Sequence, residues 1–282
     1  MQLVRTVAKA KEIARGWKRA GQSIGLVPTM GCLHEGHASL IERARAENDR
    51  VAVSIFVNPT QFAPGEDLDR YPRDLDHDCA LCEQLGVNLV FHPDAGDMYR
   101  DPFAYVGIDF LSTTMEGAAR PAHFRGVCTV VSKLFNIVAP DRAYFGQKDA
   151  QQLAIVKKLV ADLNFDVEVL ACPIVREEDG LAKSSRNVYL SPAERAAAPV
   201  LHRALECGRA LIGPHAVATE VEERIKAVLA EEPLAQIDYV TCVDALTMQP
   251  IETVERPVLV AMAVRIGSVR LIDNFAYDPE SA

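Results

Sequence analysis

The chain has 282 residues, 49% of them hydrophobic, enough to bury one large core or two smaller ones, and its 39 acidic against 30 basic side chains leave a formal net charge of −9. An acidic chain without Lys/Arg runs excludes a general nucleic-acid surface, although a local basic pocket could still hold an anionic substrate. No stretch reaches transmembrane length, residues 1–20 are charged throughout instead of carrying a signal-peptide core, and the seven cysteines are too scattered for a small secreted framework, so a cytoplasmic protein with no membrane partner is expected.

Residues 6–20 place Val7, Ala10, Ala14 and Trp17 on one helical face, with Gly21 as a stop. Residues 23–27 are short and apolar, as a buried parallel strand is, and run into PTMGCLHEGHASL, a glycine-punctuated turn followed by Leu40, Ile41 and Ala44 at helical spacing. Gly31 and Gly36 let backbone approach a ligand closely. A helix opening near Gly36 would aim unpaired N–H groups and its positive dipole end at an anion, and His34 and His37 could donate to phosphate oxygens there. On this turn alone, an anion site and a polar loop with incidental histidines are equally consistent.

Residues 51–57 (VAVSIFV) read as a second buried strand feeding a polar loop with three prolines. In open α/β sheets ligands bind beyond the carboxyl ends of the strands, so this loop belongs beside the histidine turn. The amides of Asn58 and Gln61 there can bind hydroxyl and carboxylate groups of a small polar substrate; turn capping competes for Asn58. Tyr71 and Arg73 either close the pocket or pack the loop. Residues 75–86 form a helix carrying Leu75, Cys79, Cys82 and Leu85 on one face, and 88–92 a third strand ending at His92. No second cysteine pair stands at finger spacing, so Cys79 and Cys82 are read as small hydrophobes and no dedicated metal ligands are assigned.

Residues 104–108 read as a short strand. Glu116, Arg120, His123 and Arg125 follow in a polar stretch where an anion or subunit contact and a solvated, helix-capping loop both remain open. Residues 127–138 read as an apolar helix and 143–145 as a fourth strand ending in GQKD. Gly146, Gln147, Lys148 and Asp149 should therefore line the same sheet edge as the histidine turn, with Gln152 pointing back from the next helix. After a fifth strand at 166–171, Lys183, Ser184, Ser185 and Arg186 supply two cations and two hydroxyls, a kit for clamping a triphosphate.

Beyond Pro173 the βα alternation stops. Ser191-Pro192-Ala193-Glu194 is a capping box with proline at the first helical position, opening a helix to about residue 212. Residues 217–230 form another helix, and 237–243, 258–264 and 269–275 three strands, the last two joined by a Gly267-Ser268 hairpin turn. The expected organisation is an α/β domain over residues 1–173 and a smaller α+β domain over 174–282.

PTMGCLHEGH, SIFVNPTQF, DRYPRD, RPAHFRGV, FGQKD with Gln152, and GLAKSSRN occur in this order over most of the chain. Together they resemble the pantoate–beta-alanine ligase family, and the HEGH and KSSRN pair resembles the HIGH and KMSKS signatures of a wider nucleotidyltransferase group. The resemblance implies a Rossmann-like doubly wound parallel sheet, with the C-terminal domain bearing the tail end of an ATP site, and a homodimer. It implies ATP-driven ligation of pantoate and beta-alanine through a pantoyl adenylate, with Mg²⁺ arriving on the ATP. It assigns ATP to Met30, Gly31, Cys32, Leu33, His34, Glu35, Gly36 and His37, to Gly146, Gln147, Lys148 and Asp149, to Val175, and to Lys183, Ser184, Ser185 and Arg186. It assigns pantoate to Gln61 and Gln152, beta-alanine also to Gln61, and proton donation to His37. Physically, His34, His37 and Lys148 are expected to stabilise charge on the phosphates. Lys183 stands where the family often has Met. A different HxGH enzyme, which transfers AMP to a phosphate ester, and a catalytically silent ATP-binding scaffold remain as alternatives.

Overall fold

The computed structural model describes residues 1–101 and 103–281. Its N-terminal part comprises β1 (Gln2–Val4), α1 (Val7–Arg19), β2 (Ile24–Thr29), α2 (Glu35–Glu47), β3 (Arg50–Ile55), α3 (Leu75–Gln84), β4 (Leu89–Phe91), α4 (Ala95–Met98), α5 (Met115–Ala119), α6 (His123–Val138), β5 (Arg142–Gly146), α7 (Ala150–Leu163) and β6 (Glu168–Cys172). The six strands form one parallel sheet in the order β1-β4-β3-β2-β5-β6. Both central strands, β2 and β3, are buried along nearly their whole length, which is why they read as continuous apolar runs without alternation.

The strand order places the functional turns. From β2 the chain builds outward through β3 and β4, then returns to add β5 on the other side of β2, with β6 beyond it. The sheet therefore has its switch point between β2 and β5, and the carboxyl ends of these two strands open into one crevice. The histidine turn follows β2, and the GQKD turn follows β5.

The C-terminal part comprises α8 (Pro192–Ala197), α9 (Val200–Arg209), α10 (Ala218–Leu229), β7 (Ala235–Asp244), β8 (Val258–Ile266) and β9 (Val269–Tyr277), with the three strands antiparallel in that order. Val260, Met262, Val264 and Ile266 of β8 pack with α9 and α10 residues such as Leu201, Leu205, Ile225 and Leu229. Leu259 and Ala261 join the core of the parallel sheet instead. Because alternate residues of a strand face opposite ways, β8 is covered on both sides and ties the two parts together.

Several sequence expectations are corrected. Residues 104–108 are not a strand: the N–H of Val106 donates to the Thr129 hydroxyl of α6 at 2.9 Å, so the segment lies on a helix and, among the described residues, has no ladder partner. The helix expected from 192 to 212 is two helices, because Pro199 has no N–H to continue the first and instead starts the second. The helix expected from Val127 opens earlier, at His123. β1 went unread, since three residues are too few to show a period. Gln61, Lys148, Ser185 and Arg186 all sit on short 3₁₀ turns, Pro59–Gln61, Gln147–Asp149 and Ser185–Tyr189. The hairpin at Gly267-Ser268 is as expected, with Ile266 paired to Val269.

Candidate active site

A cavity of about 750 Å³ lies over the switch point between the two sheets. Met30, His34, Gly36 and His37 line it from the turn after β2, Asn58 and Gln61 from the turn after β3, and Gly146, Lys148, Asp149 and Gln152 from the β5–α7 connection. Val175, Lys183, Ser184, Ser185 and Arg186 complete the wall. Gly31, Cys32, Leu33, Glu35 and Gln147 are not on it. Leu33 is in the core, and the largely exposed Glu35 carboxylate pairs with Lys183 at 3.0 Å.

The histidines are held by the helix they open. His34 is the N-cap of α2, its Nδ1 accepting the N–H of Gly36 at 3.1 Å, while Nδ1 of His37 accepts the N–H of His34 at 3.3 Å. With both Nδ1 atoms acting as acceptors, each ring carries its proton on Nε2. Burial, with Lys148 next, pushes His34 down to about 4. Burial, then His34 and Lys148, pushes His37 down to about 3. Both imidazoles are therefore neutral Nε2–H donors at neutral pH. Gly36 is required here, because a Cβ would stand 2.8 Å from Cε1 of His34.

The backbone of this turn is fixed from α3. Asp78, 1% exposed, accepts the N–H of Cys32 at 2.9 Å and that of Leu33 at 2.7 Å, with Cys32 in the left-handed region at φ 50°. Burial raises the Asp78 carboxyl pKa, and the two N–H bonds oppose that. Cys79 and Cys82 belong to the apolar contacts of the same helix, Cys82 fully buried. His92 takes a structural place, with Nδ1 2.6 Å from the carbonyl of Ile55.

Gln61 is positioned by Asn58. The Asn58 amide donates to Gln61 Oε1 at 3.0 Å and to the Gly126 carbonyl at 3.2 Å, and its oxygen accepts from Thr60 and from the Tyr99 hydroxyl. Turn capping therefore describes Asn58, whose hydrogen-bonding capacity is taken up within the protein although it reaches the cavity wall. Gly126 of α6 lets that turn approach, because a Cβ there would meet the Thr60 carbonyl oxygen at 2.4 Å.

In the polar stretch after α4, Glu116, Arg120 and His123 are drawn into contacts, whereas Arg125 is exposed. Arg120 pairs with Glu66 at 2.6 Å. His123 is buried, its Nδ1 donating to the Gln61 carbonyl at 3.0 Å, and burial, with Arg120 next, pushes it down to about 4. Glu116 receives both Nη atoms of Arg270 at 2.8 Å and the Tyr239 hydroxyl at 3.0 Å, joining α5 to β9 and β7. Arg120, His123, Tyr239, Arg270, Asp273 and Asn274 all line the cavity. The last four escaped sequence reasoning because β7 and β9 interleave polar with apolar residues, and spacing alone does not show which of them meet the other sheet.

The cations are each set against carboxylates. Lys148 stands 3.7 Å from Asp149, Lys183 is bracketed by Glu35 and Glu177 at 3.0 Å each, and Arg186 makes a two-pronged pair with Asp67 at 2.8 and 3.0 Å. Tyr71, buried on the cavity wall, packs edge-on to Phe62 and below Arg186. Arg73 instead ties the loop together through the carbonyls of Leu68, Asp69 and Tyr71.

An HxGH turn thus stands at the switch point of a Rossmann-like parallel sheet, faced by a Lys-Ser-Ser-Arg loop. The family model described as Pantoate-beta-alanine ligase matches residues 2–276, so the chain belongs to the pantoate–beta-alanine ligase family and is a ligase. It is 55% identical over 282 residues to the pantothenate synthetase of Ruminiclostridium cellulolyticum, covering 99% of this chain and 100% of that one. It is 56% identical over 273 residues to that of Clostridium novyi, covering 96% of each. A crystal structure of pantothenate synthetase from Thermus thermophilus superposes with a TM-score of 0.91 at 47% identity, covering 98% of this chain and 99% of that chain. The pantoate–beta-alanine ligase of Francisella tularensis, complexed with beta-gamma ATP and beta-alanine, superposes at 0.81 with 34% identity, covering 100% and 99%.

Proposed function

We propose that the chain joins pantoate to beta-alanine with ATP, forming pantothenate, AMP and pyrophosphate. The observation that carries this reading is the convergence of the HxGH turn, the Lys148 turn, the Lys183–Arg186 loop and the amides of Gln61 and Gln152 on one cavity. A carboxylate is a poor acyl donor, since oxide would have to leave. Attack of the pantoate carboxylate on the α-phosphorus of ATP forms a mixed anhydride and releases pyrophosphate. The amine of beta-alanine then attacks the acyl carbon, and AMP departs.

In this scheme Met30, His34, Gly36, His37, Gly146, Lys148, Asp149, Val175 and Lys183 to Arg186, the cavity residues of the stretches assigned to ATP, form the nucleotide end. Nε2–H of His34 and of His37 donate to phosphate oxygens as charge builds up on them, and Lys148 neutralises the departing pyrophosphate. His37 acts here as a hydrogen-bond donor without becoming an imidazolium. Gln61 and Gln152 hold pantoate, with Gln61 also toward beta-alanine, and Asn58 orients Gln61. The exposed Asp149 carboxylate is an oxygen donor suited to a hard cation, so Mg²⁺ carried in on the triphosphate fits at that turn and would screen phosphate charge.

The reading extends to a division near Pro173, supported by the change from a parallel to an antiparallel sheet. It extends also to a homodimer, supported by family likeness, and to a cytoplasmic location, supported by seven free cysteines and by the lack, among the described residues, of a helix long and apolar enough to cross a membrane.

Mass spectrometry of products from ATP, pantoate and a panel of amines tests the function. Pyrophosphate should form with pantoate and no amine, and AMP should be released on adding beta-alanine. Pyrophosphate formation independent of pantoate, or ligation with no preference for beta-alanine, would overturn it.

A further inference from the structure

Both segments at the nucleotide end are anchored by two consecutive residues of β9. Asn274, 6% exposed, donates its side-chain amide to the carbonyls of Gln147 at 3.1 Å and Lys148 at 2.8 Å. These are successive peptide units of the 3₁₀ turn that carries Lys148, so one side chain restrains two peptide planes at once. Asp273, 2% exposed, takes Nη1 and Nη2 of Arg176 at 2.7 and 3.0 Å and also accepts the N–H of Asn274 at 2.8 Å. The same Nη1 of Arg176 donates to the Gly180 carbonyl at 2.9 Å. That bond closes a small hairpin in which Arg176 pairs with Ala182 and the N–H of Lys183 donates to Val175. Within two residues, the C-terminal sheet thus holds the turn presenting Lys148 and the loop presenting Val175 and Lys183.

We propose that Asn274 and Asp273 are positioning residues for the ATP phosphates, Asn274 acting through Lys148 and Asp273 through Arg176 and the loop before Ser184. A lysine ammonium on a flexible four-carbon stem is a useful phosphate ligand only if its Cα is fixed, and the 3₁₀ turn bearing Lys148 is too short to fix itself. By donating to the carbonyls of both Gln147 and Lys148, Asn274 ties this turn to β9. Placing the restraint on β9 means that the nucleotide end reaches its working geometry only when the antiparallel sheet is seated against the parallel one. This rests on the ATP reading of the cavity given above.

A double-mutant cycle separates positioning from plain stabilisation. Asn274→Ala should raise the KM for ATP and slow adenylate formation, together about tenfold in kcat/KM, with the KM for pantoate within about twofold of wild type. On a Lys148→Ala background the same change should cost less than about threefold, since the group being positioned is gone. Asn274→Asp, which places an acceptor against two carbonyl oxygens, should be worse than Asn274→Ala. An undiminished penalty on the Lys148→Ala background, or a parallel rise in both KM values, would overturn the proposal. If Asn274→Ala does not fold, Asn274→Ser, which keeps one donor, carries the same cycle to the same decision. Failure of the wild type to make pyrophosphate from ATP and pantoate would instead refute the functional reading.

Discussion

The hydroxyl of Ser185 donates to the carbonyl of Cys32 at 3.1 Å, joining residues 153 positions apart. Ser185 belongs to the Lys-Ser-Ser-Arg loop and Cys32 to the HxGH turn, so the two signatures touch directly. The turn is thereby held on both sides, with Asp78 on its N–H groups and Ser185 on its carbonyl. Ser185→Ala removes one neutral hydrogen bond, a loss of about 1 kcal/mol, and should weaken ATP about fivefold in calorimetry. An unchanged ATP affinity in the folded variant would show that the contact is incidental.

His37→Ala should slow adenylate formation by on the order of a hundredfold while leaving ATP binding within a few-fold, because its donor bond strengthens as charge develops on the phosphates. Rapid-quench measurement of pyrophosphate with pantoate and no amine isolates that step. A wild-type burst rate in the variant would remove His37 from the chemistry.

The depressed histidines make stability depend on pH with a definite sign. An unfolded histidine takes up a proton near pH 6.5, whereas folded His34 and His123 stay neutral to about 4 and His37 to about 3. Between those values the unfolded chain binds more protons, so these groups leave stability unaffected above pH 6.5 and lower it progressively as pH falls toward 4. The loss is on the order of 2 kcal/mol per group by pH 4.5. His34→Asn keeps an N-cap acceptor and removes the titration, so urea unfolding between pH 7 and 4.5 should show a shallower decline than wild type. Superimposable pH curves would contradict this assignment.

The two ends of the cavity should separate by mutation. Gln61→Ala and Gln152→Ala should raise the pantoate requirement, each by roughly 1–3 kcal/mol or more if the partner is the carboxylate, with ATP binding in the absence of pantoate near wild type. Lys148→Ala should weaken ATP first. Loss of ATP binding in the glutamine variants, with their pantoate response intact, would show that the ends are assigned the wrong way round.

Much of this was legible in the sequence because it is local. The apolar runs at β2, β3 and β5, each ending in a glycine or polar turn, announce parallel strands with their functional ends on one side. Gly36 and the spacing of His34 and His37 encode a helix start that places two imidazoles together. Ser191 and Glu194 encode the cap of α8, which they form reciprocally, and Gly267-Ser268 encodes a hairpin. These features depend on dihedral preferences and side-chain reach within a few residues.

Tertiary structure alone decided which carboxylate or amide stands behind each of them. Asp78 on an otherwise apolar helix face, Glu116 against Arg270 and Tyr239, Asp67 against Arg186, and Asn274 against the Lys148 turn are contacts between elements far apart in the chain. Periodicity gives the face on which such a residue lies but not what is packed against that face. The partner follows from strand order, and here from a C-terminal sheet whose β8 is buried on both sides, so that the neighbouring strand β9 brings Arg270, Asp273 and Asn274 into the cavity that the turns of the parallel sheet open.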